Sequence, residues 1–296
     1  MSDAPPPPAG PPLRRPVAVA VDGSEGSRIA LRWAAATATA TGTKLRVLRS
    51  WEYPSSLPLP FADLNPKAPE TIDDEILEEL RGFVDETLGD THGAELSVLR
   101  GPAAAAILGA VDERRPSMLV VGSRGLGGFR GLLLGSVSRR CLEYASCTVV
   151  VVPEGTTPAA GLHHLVVGLD GSDASGLALR WARDVAVASG AALTALHVFS
   201  PPFAEIPPQV VAELRQEADQ QVQRAMDRAA VAPDLVTVEG DPRDALMGSA
   251  RERQADLVVV GATGGGSVKH LLGAVSAHLA AHTPLPLAVV RTDLDD

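Results

Sequence analysis

The chain repeats itself. Residues 22–34 (DGSEGSRIALRWA) and 170–182 (DGSDASGLALRWA) share nine of thirteen positions, with Trp33 matched by Trp181 and Arg32 by Arg180. The copies start at Asp22 and Asp170, a period of 148 residues, far above the roughly 20–50 residues of a solenoid unit. In a chain of 296 residues, that spacing means two similar domains, each long enough for its own core. Hydrophobic residues make up 45% of the chain but aromatics only 3%. The cores must therefore be built from Ala, Val and Leu, which suits α/β layers better than an aromatic-rich sandwich.

Periodicity supports that class. Short β-type runs are expected at 16–21, 45–51, 94–99, 117–121 and 148–152, separated by helical patterns at 25–41, 70–88, 103–114 and 136–144. The second half follows suit, with strands at 165–169, 193–199, 235–239, 256–260 and 287–291 and helices at 210–230 and 244–253, then one after its glycine loop. Strands alternating with helices at this pitch predict a mostly parallel sheet covered on both faces. The expected units are a proline-rich tail (1–16), a first domain (17–153), a linker (154–163), a second domain (164–292) and an acidic tail (293–296).

Several functions are disfavoured. A net charge of −10 opposes non-specific binding to nucleic acid or to anionic membrane. No apolar run approaches the roughly 18 residues of a membrane span. The tail MSDAPPPPAGPPLRRP has no apolar signal core, so a cytoplasmic location is expected. Cys141 and Cys147 lie in no paired metal pattern and fit buried, reduced thiols. The carboxylates of 70–88, including Asp73, Glu78, Glu79 and Glu86, read as a solvated helix face. His270, His278 and His282 gather in the second half without a third ligand of known geometry, so no metal site is expected.

One stretch points to a ligand. Residues 119–153 run from a buried strand into a loop with Gly122, Gly125, Gly127, Gly128 and Gly131, reach Gly135-Ser136 and enter a helix. Glycines let a backbone approach an anion, and a helix start presents N–H groups and positive potential. No Gly-Lys pair exists for a Walker A loop, and G-x-G-x-x-G fails because Arg130 and Lys269 hold the last positions.

The spacing Gly122-x2-Gly125-x9-Gly135-Ser136 resembles the ATP-binding signature of the universal stress protein family. The duplicated VDGS and LDGS openings, with SxxALRWA after them, are similar to the same family. The resemblance covers 17–152 and 164–292. It implies two tandem Rossmann-like α/β domains, each a five-stranded parallel sheet in the order 3-2-1-4-5 flanked by helices. It also implies an intramolecular pseudo-dimer joined through 148–152 and 287–291, with further homodimerisation open. Asp22 would meet the ribose and adenine region, Ser50 the adenine edge and Gly122 the ribose. Gly125, Gly135, Ser136 and Val137 would hold the phosphates of ATP, with or without Mg2+. Gly23, Ser123 and Arg124 complete the implied set. The bland alternative for Asp22 is capping the first helix.

The second half departs from this pattern. Between Gly264 and Gly273 the loop is one residue shorter, and Ala274 stands where Ser136 does, with Ser276 two positions later. Asp170, Val198, Gly261, Gly264, Gly273 and Ser276 form a second candidate site in which a phosphate nest is not assured. The leading expectation is an ATP-binding, nucleotide-dependent regulator of stress response. The alternatives are a slow ATPase or adenylate-handling transferase, and an interaction module with empty loops.

Overall fold

A computed structural model of the chain describes residues 13, 15–52, 68–89, 93–126, 133–157, 161–200, 207–229, 233–263 and 272–291. Most of both tails, Gly127, Gly128, Arg130, Gly131, Gly264, Lys269 and His270 lie outside the described residues. The first half runs β1 (Val17–Ala20), α1 (Glu25–Thr41), β2 (Leu45–Trp51), α2 (Pro69–Leu88), β3 (Glu95–Arg100), α3 (Ala103–Arg114), β4 (Met118–Gly122), α4 (Ser136–Tyr144) and β5 (Thr148–Val152). The second half repeats the series: β6 (His164–Leu169), α5 (Asp173–Ser189), β7 (Ala192–Phe199), α6 (Pro208–Ala229), β8 (Asp234–Glu239), α7 (Pro242–Glu252), β9 (Leu257–Gly261), α8 (Ala274–His282) and β10 (Leu287–Val290).

The repeated DGS opening folds the same way twice. Ser24 and Ser172 cap α1 and α5, each side chain accepting the N–H three residues on, from Ser27 at 3.1 Å and Ser175 at 3.2 Å. This satisfies one of the donors that a helix start leaves open. Both helices stop at a left-handed glycine, Gly42 (φ 67°) and Gly190 (φ 73°), a conformation that costs glycine no Cβ clash. The second-half helix expected at 244 begins at Pro242 instead, with Asp241 as its cap. Proline fits a first helical turn because its missing N–H would have no partner there.

The strands form one sheet in the order β3-β2-β1-β4-β5-β10-β9-β6-β7-β8. Each half has the order 3-2-1-4-5, and every pairing is parallel except β5 with β10. There the halves meet antiparallel, with Leu287 opposite Val151, Ala288 opposite Val150 and Val289 opposite Val149. One apolar core lies on each face of the sheet, and both run through both halves. Trp33 and Trp181 sit in the first of these, 5% and 6% exposed. Helix α1 packs against α5 across the join. On the other face Arg291, just past β10, donates through Nε to the Leu142 carbonyl at 2.8 Å and so caps the end of α4 in the other half.

One expectation is refined. The carboxylates of α2 are not simply solvated. Asp73 accepts Trp51 Nε1 at 2.7 Å and Arg100 Nε at 2.8 Å, and Glu79 accepts Arg49 at 2.9 Å. These pairs orient α2 over β2 and β3 and, being exposed, contribute little to stability. Cys141 and Cys147 are buried and free, and burial pushes both thiols up to about 12, so neither is a thiolate at neutral pH. His278 and His282 stack at 4.3 Å between ring centres. Among the described residues no three metal-ligating side chains converge, and no helix is long and apolar enough to cross a membrane.

The β5–β10 joint makes a stability prediction. Val289 is 1% exposed, so Val289→Asp places a charge in the apolar core on one face of the sheet at the join. It should lower the unfolding free energy by about 3–5 kcal/mol in urea titration. Leu235→Asp on the outer strand β8, where the side chain is 36% exposed, should cost about 1 kcal/mol or less.

Candidate nucleotide sites

At the carboxyl ends of β1 and β4, where strand order reverses, the first half opens a cavity of about 200 Å³. Open α/β sheets present ligand crevices at such reversals. Of the residues expected there, Asp22, Ser50, Gly122, Arg124, Gly125, Gly135, Ser136 and Val137 line it. Gly23 and Ser123 do not: they shape its frame. The sequence reading missed Ala103 and Ile107 of α3, which form an apolar wall. Their signal was the apolar face of the helix that follows β3, a wall rather than a motif.

Backbone hydrogen bonds define the glycine loop. Ser123 N–H bonds to the Val152 carbonyl at 2.9 Å, and Gly135 N–H bonds to the Ser123 carbonyl at 2.7 Å. The loop therefore returns to its starting point and delivers the first turn of α4 to the cavity. Ser138 Oγ, also unanticipated, donates to the Gly122 carbonyl at 2.7 Å and ties that turn to β4. Ser136 remains exposed at the helix start, with the positive end of the helix beside it.

Asp22 does not cap α1; Ser24 does. The Asp22 carboxylate accepts Ser24 N–H at 3.0 Å with one oxygen and Leu126 N–H at 2.8 Å with the other. It latches the loop to the end of β1 across 104 residues of sequence. Gly125 is the residue that permits this, because a Cβ there would collide with the Asp22 carboxylate. Desolvation pushes the Asp22 carboxyl up, but the hydrogen bonds from Ser24, Leu126 and Ser27 together outweigh it and hold the group below its ordinary value. Arg124 lies at the cavity edge, ion-paired to Glu154 at 2.8 Å.

The second half builds its counterpart at about 410 Å³. Asp170, Val198, Gly261, Gly273 and Ser276 line it. Its loop ends are clamped in the same way, Ala262 N–H to the Val290 carbonyl at 2.8 Å and Gly273 N–H to the Ala262 carbonyl at 2.7 Å. The missing residue therefore falls between these clamps. Ser276 does not replace Ser136. Its hydroxyl donates to the Gly261 carbonyl at 2.6 Å, as Ser138 does to Gly122, so it is a frame residue.

The latch carries a pH prediction. A carboxylate with a lowered pKa holds its contacts fully above its unfolded value, near 3.8, and loses them as pH falls through the lower folded value. The hydrogen-exchange protection of Leu126 N–H should be flat above that point and fall below it. In Asp22→Ala the protection should drop about tenfold at neutral pH, the equivalent of one charge-assisted hydrogen bond.

The universal stress protein family profile matches residues 14–153 and again 161–291. A universal stress protein of Mycolicibacterium smegmatis is 34% identical over 297 residues, covering 93% of this chain and 96% of the relative. One from Mycobacterium tuberculosis is 32% identical over 308 residues, covering 94% and 96%. The crystal structure of a universal stress protein from Archaeoglobus fulgidus shares the fold with a TM-score of 0.64 at 22% identity, covering 93% of this chain and 98% of that one. With the profile matched in both halves and relatives aligned over nearly their full length, this chain belongs to the universal stress protein family.

Proposed function

We propose that the chain is a nucleotide-dependent regulator of stress response, acting in the cytoplasm, and that ATP binds in the first cavity. The observation that carries this reading is the clamped glycine loop, which brings the start of α4 to the same cavity as the Asp22 carboxylate. The N–H groups of Ser136 and Val137, together with the Ser136 hydroxyl, would take phosphate oxygens. Asp22 would accept a ribose hydroxyl, since each of its oxygens has a second lone pair beyond the backbone N–H it already holds. Ser50 and the apolar wall of Ala103 and Ile107 would border the adenine. Mg2+, if it accompanies ATP, would sit on the phosphates. The proposed units are 17–153 and 164–292, with 154–163 between them.

Binding rather than turnover is the favoured role. Phosphoryl transfer calls on a carboxylate to hold metal or orient a nucleophile. Asp22 is the carboxylate among the described lining residues, and in this reading its remaining lone pairs hold the ribose rather than a metal or a nucleophile. Occupancy would act through the loop and α4, whose far end is capped by Arg291 from the other half.

Protein purified without added ligand should release adenine absorbance on denaturation, and Gly135→Val should abolish it. In equilibrium titration Gly125→Ala should weaken ATP binding at least about tenfold, or 1.4 kcal/mol, because the added methyl displaces Asp22. Unchanged affinity in both variants would overturn the reading. Steady phosphate release that depends on Ser136 would place the chain among ATPases instead.

A further inference from the structure

The second cavity keeps the frame of the first but changes its chemistry. The positions of Ser50, Arg124 and Ser136 are taken by Val198, Thr263 and Ala274, all of which line the cavity. The two hydroxyls and the guanidinium that could meet a phosphate are thus replaced by two apolar groups and one neutral hydroxyl. Among the described residues its lining carries no basic side chain. A helix start remains, but bringing a triphosphate against a lining with no cation among the described residues costs more than a few N–H groups return.

The space grows as the charge goes. Gly168 stands where Ala20 does, and a Cβ there would approach the Leu246 side chain to 3.1 Å. The cavity volume is about 410 Å³ against about 200 Å³ in the first half. Its walls include Leu246 and Val260, 3% and 5% exposed. The carboxylate is kept. Asp170 takes Ser172 N–H at 3.0 Å and its hydroxyl at 2.5 Å on a single oxygen. A carboxylate oxygen at the rim of an apolar cavity accepts hydroxyl groups.

We propose that this second cavity binds a neutral nucleoside, its base against Leu246 and Val260 and its sugar hydroxyls on Asp170, while the first takes the nucleotide. The contrast rests on the reading of the first cavity given above. The two halves would then report on different pools, one phosphorylated and one not.

Equilibrium dialysis of the full chain with labelled ATP and labelled adenosine tests this. ATP should saturate at one per chain, and ATP-saturated protein should still take up one adenosine. Gly168→Val fills the cavity and should weaken that adenosine binding at least tenfold with ATP binding unchanged, which also shows that the variant is folded. Asp170→Ala, which disturbs no buried contact, should lose adenosine to a similar extent. Two ATP per chain, or no adenosine taken up by ATP-saturated protein, overturns the proposal. If ATP does not bind at all, the first-cavity reading fails alone. Adenosine uptake lost in both variants would still support the second cavity, and its absence would sink that too.

Discussion

The antiparallel pairing of β5 with β10 is the contact on which the rest of the molecule depends. Each half would otherwise end in a valine-rich strand with an open row of N–H and C=O groups, an edge that invites aggregation. Pairing these edges with each other turns two five-stranded sheets into one of ten and extends both cores across the join. It also has a directional consequence. The last residues of the join strands, Val152 and Val290, accept the N–H groups of Ser123 and Ala262 at the start of each glycine loop, so the two cavities are fixed relative to one another by the most buried part of the sheet. Val149, Val151, Leu287 and Val289 are at most 1% exposed, and side chains so enclosed transmit strain rather than absorb it.

On that frame the two halves diverge where chemistry is done and agree where structure is done. Ser24 and Ser172, Ser138 and Ser276, and the two pairs of loop-closing hydrogen bonds are kept. Ser50, Arg124 and Ser136 are not. The duplicated fold requires only the first set, so the second set is free to differ and to give each cavity its own ligand. Asp22 and Asp170 belong to both sets. Each orders its DGS turn through Ser24 or Ser172, and each lines its cavity.

Much of this was legible in the sequence because the repeat is long and its strands are nearly pure Val, Leu and Ala. Strand order and the join followed from the family resemblance carried by the glycine spacing and the DGS openings. Side-chain partners across distant elements were not legible. Nothing near Asp22 in sequence announces Leu126, and Ser276 looked like a displaced Ser136 until its hydroxyl was found on the Gly261 carbonyl. The acidic helix α2 presents the solvated face its spacing predicts, but the arginine partners of Asp73 and Glu79, on β3 and β2, could not be read from helical spacing. Helix starts were off where a proline opens the helix, as at Pro242, since a proline can equally belong to the preceding turn.

The central claim is that the Asp22-latched loop and the start of α4 form the nucleotide site, and that the second half is not its equal. Hydrogen exchange of the full chain, with and without saturating ATP, addresses this directly. Slower exchange confined to 122–126 and 133–138, with 261–263 and 272–276 unchanged, is the predicted result. Equal slowing in both halves, or none in the first, would contradict it.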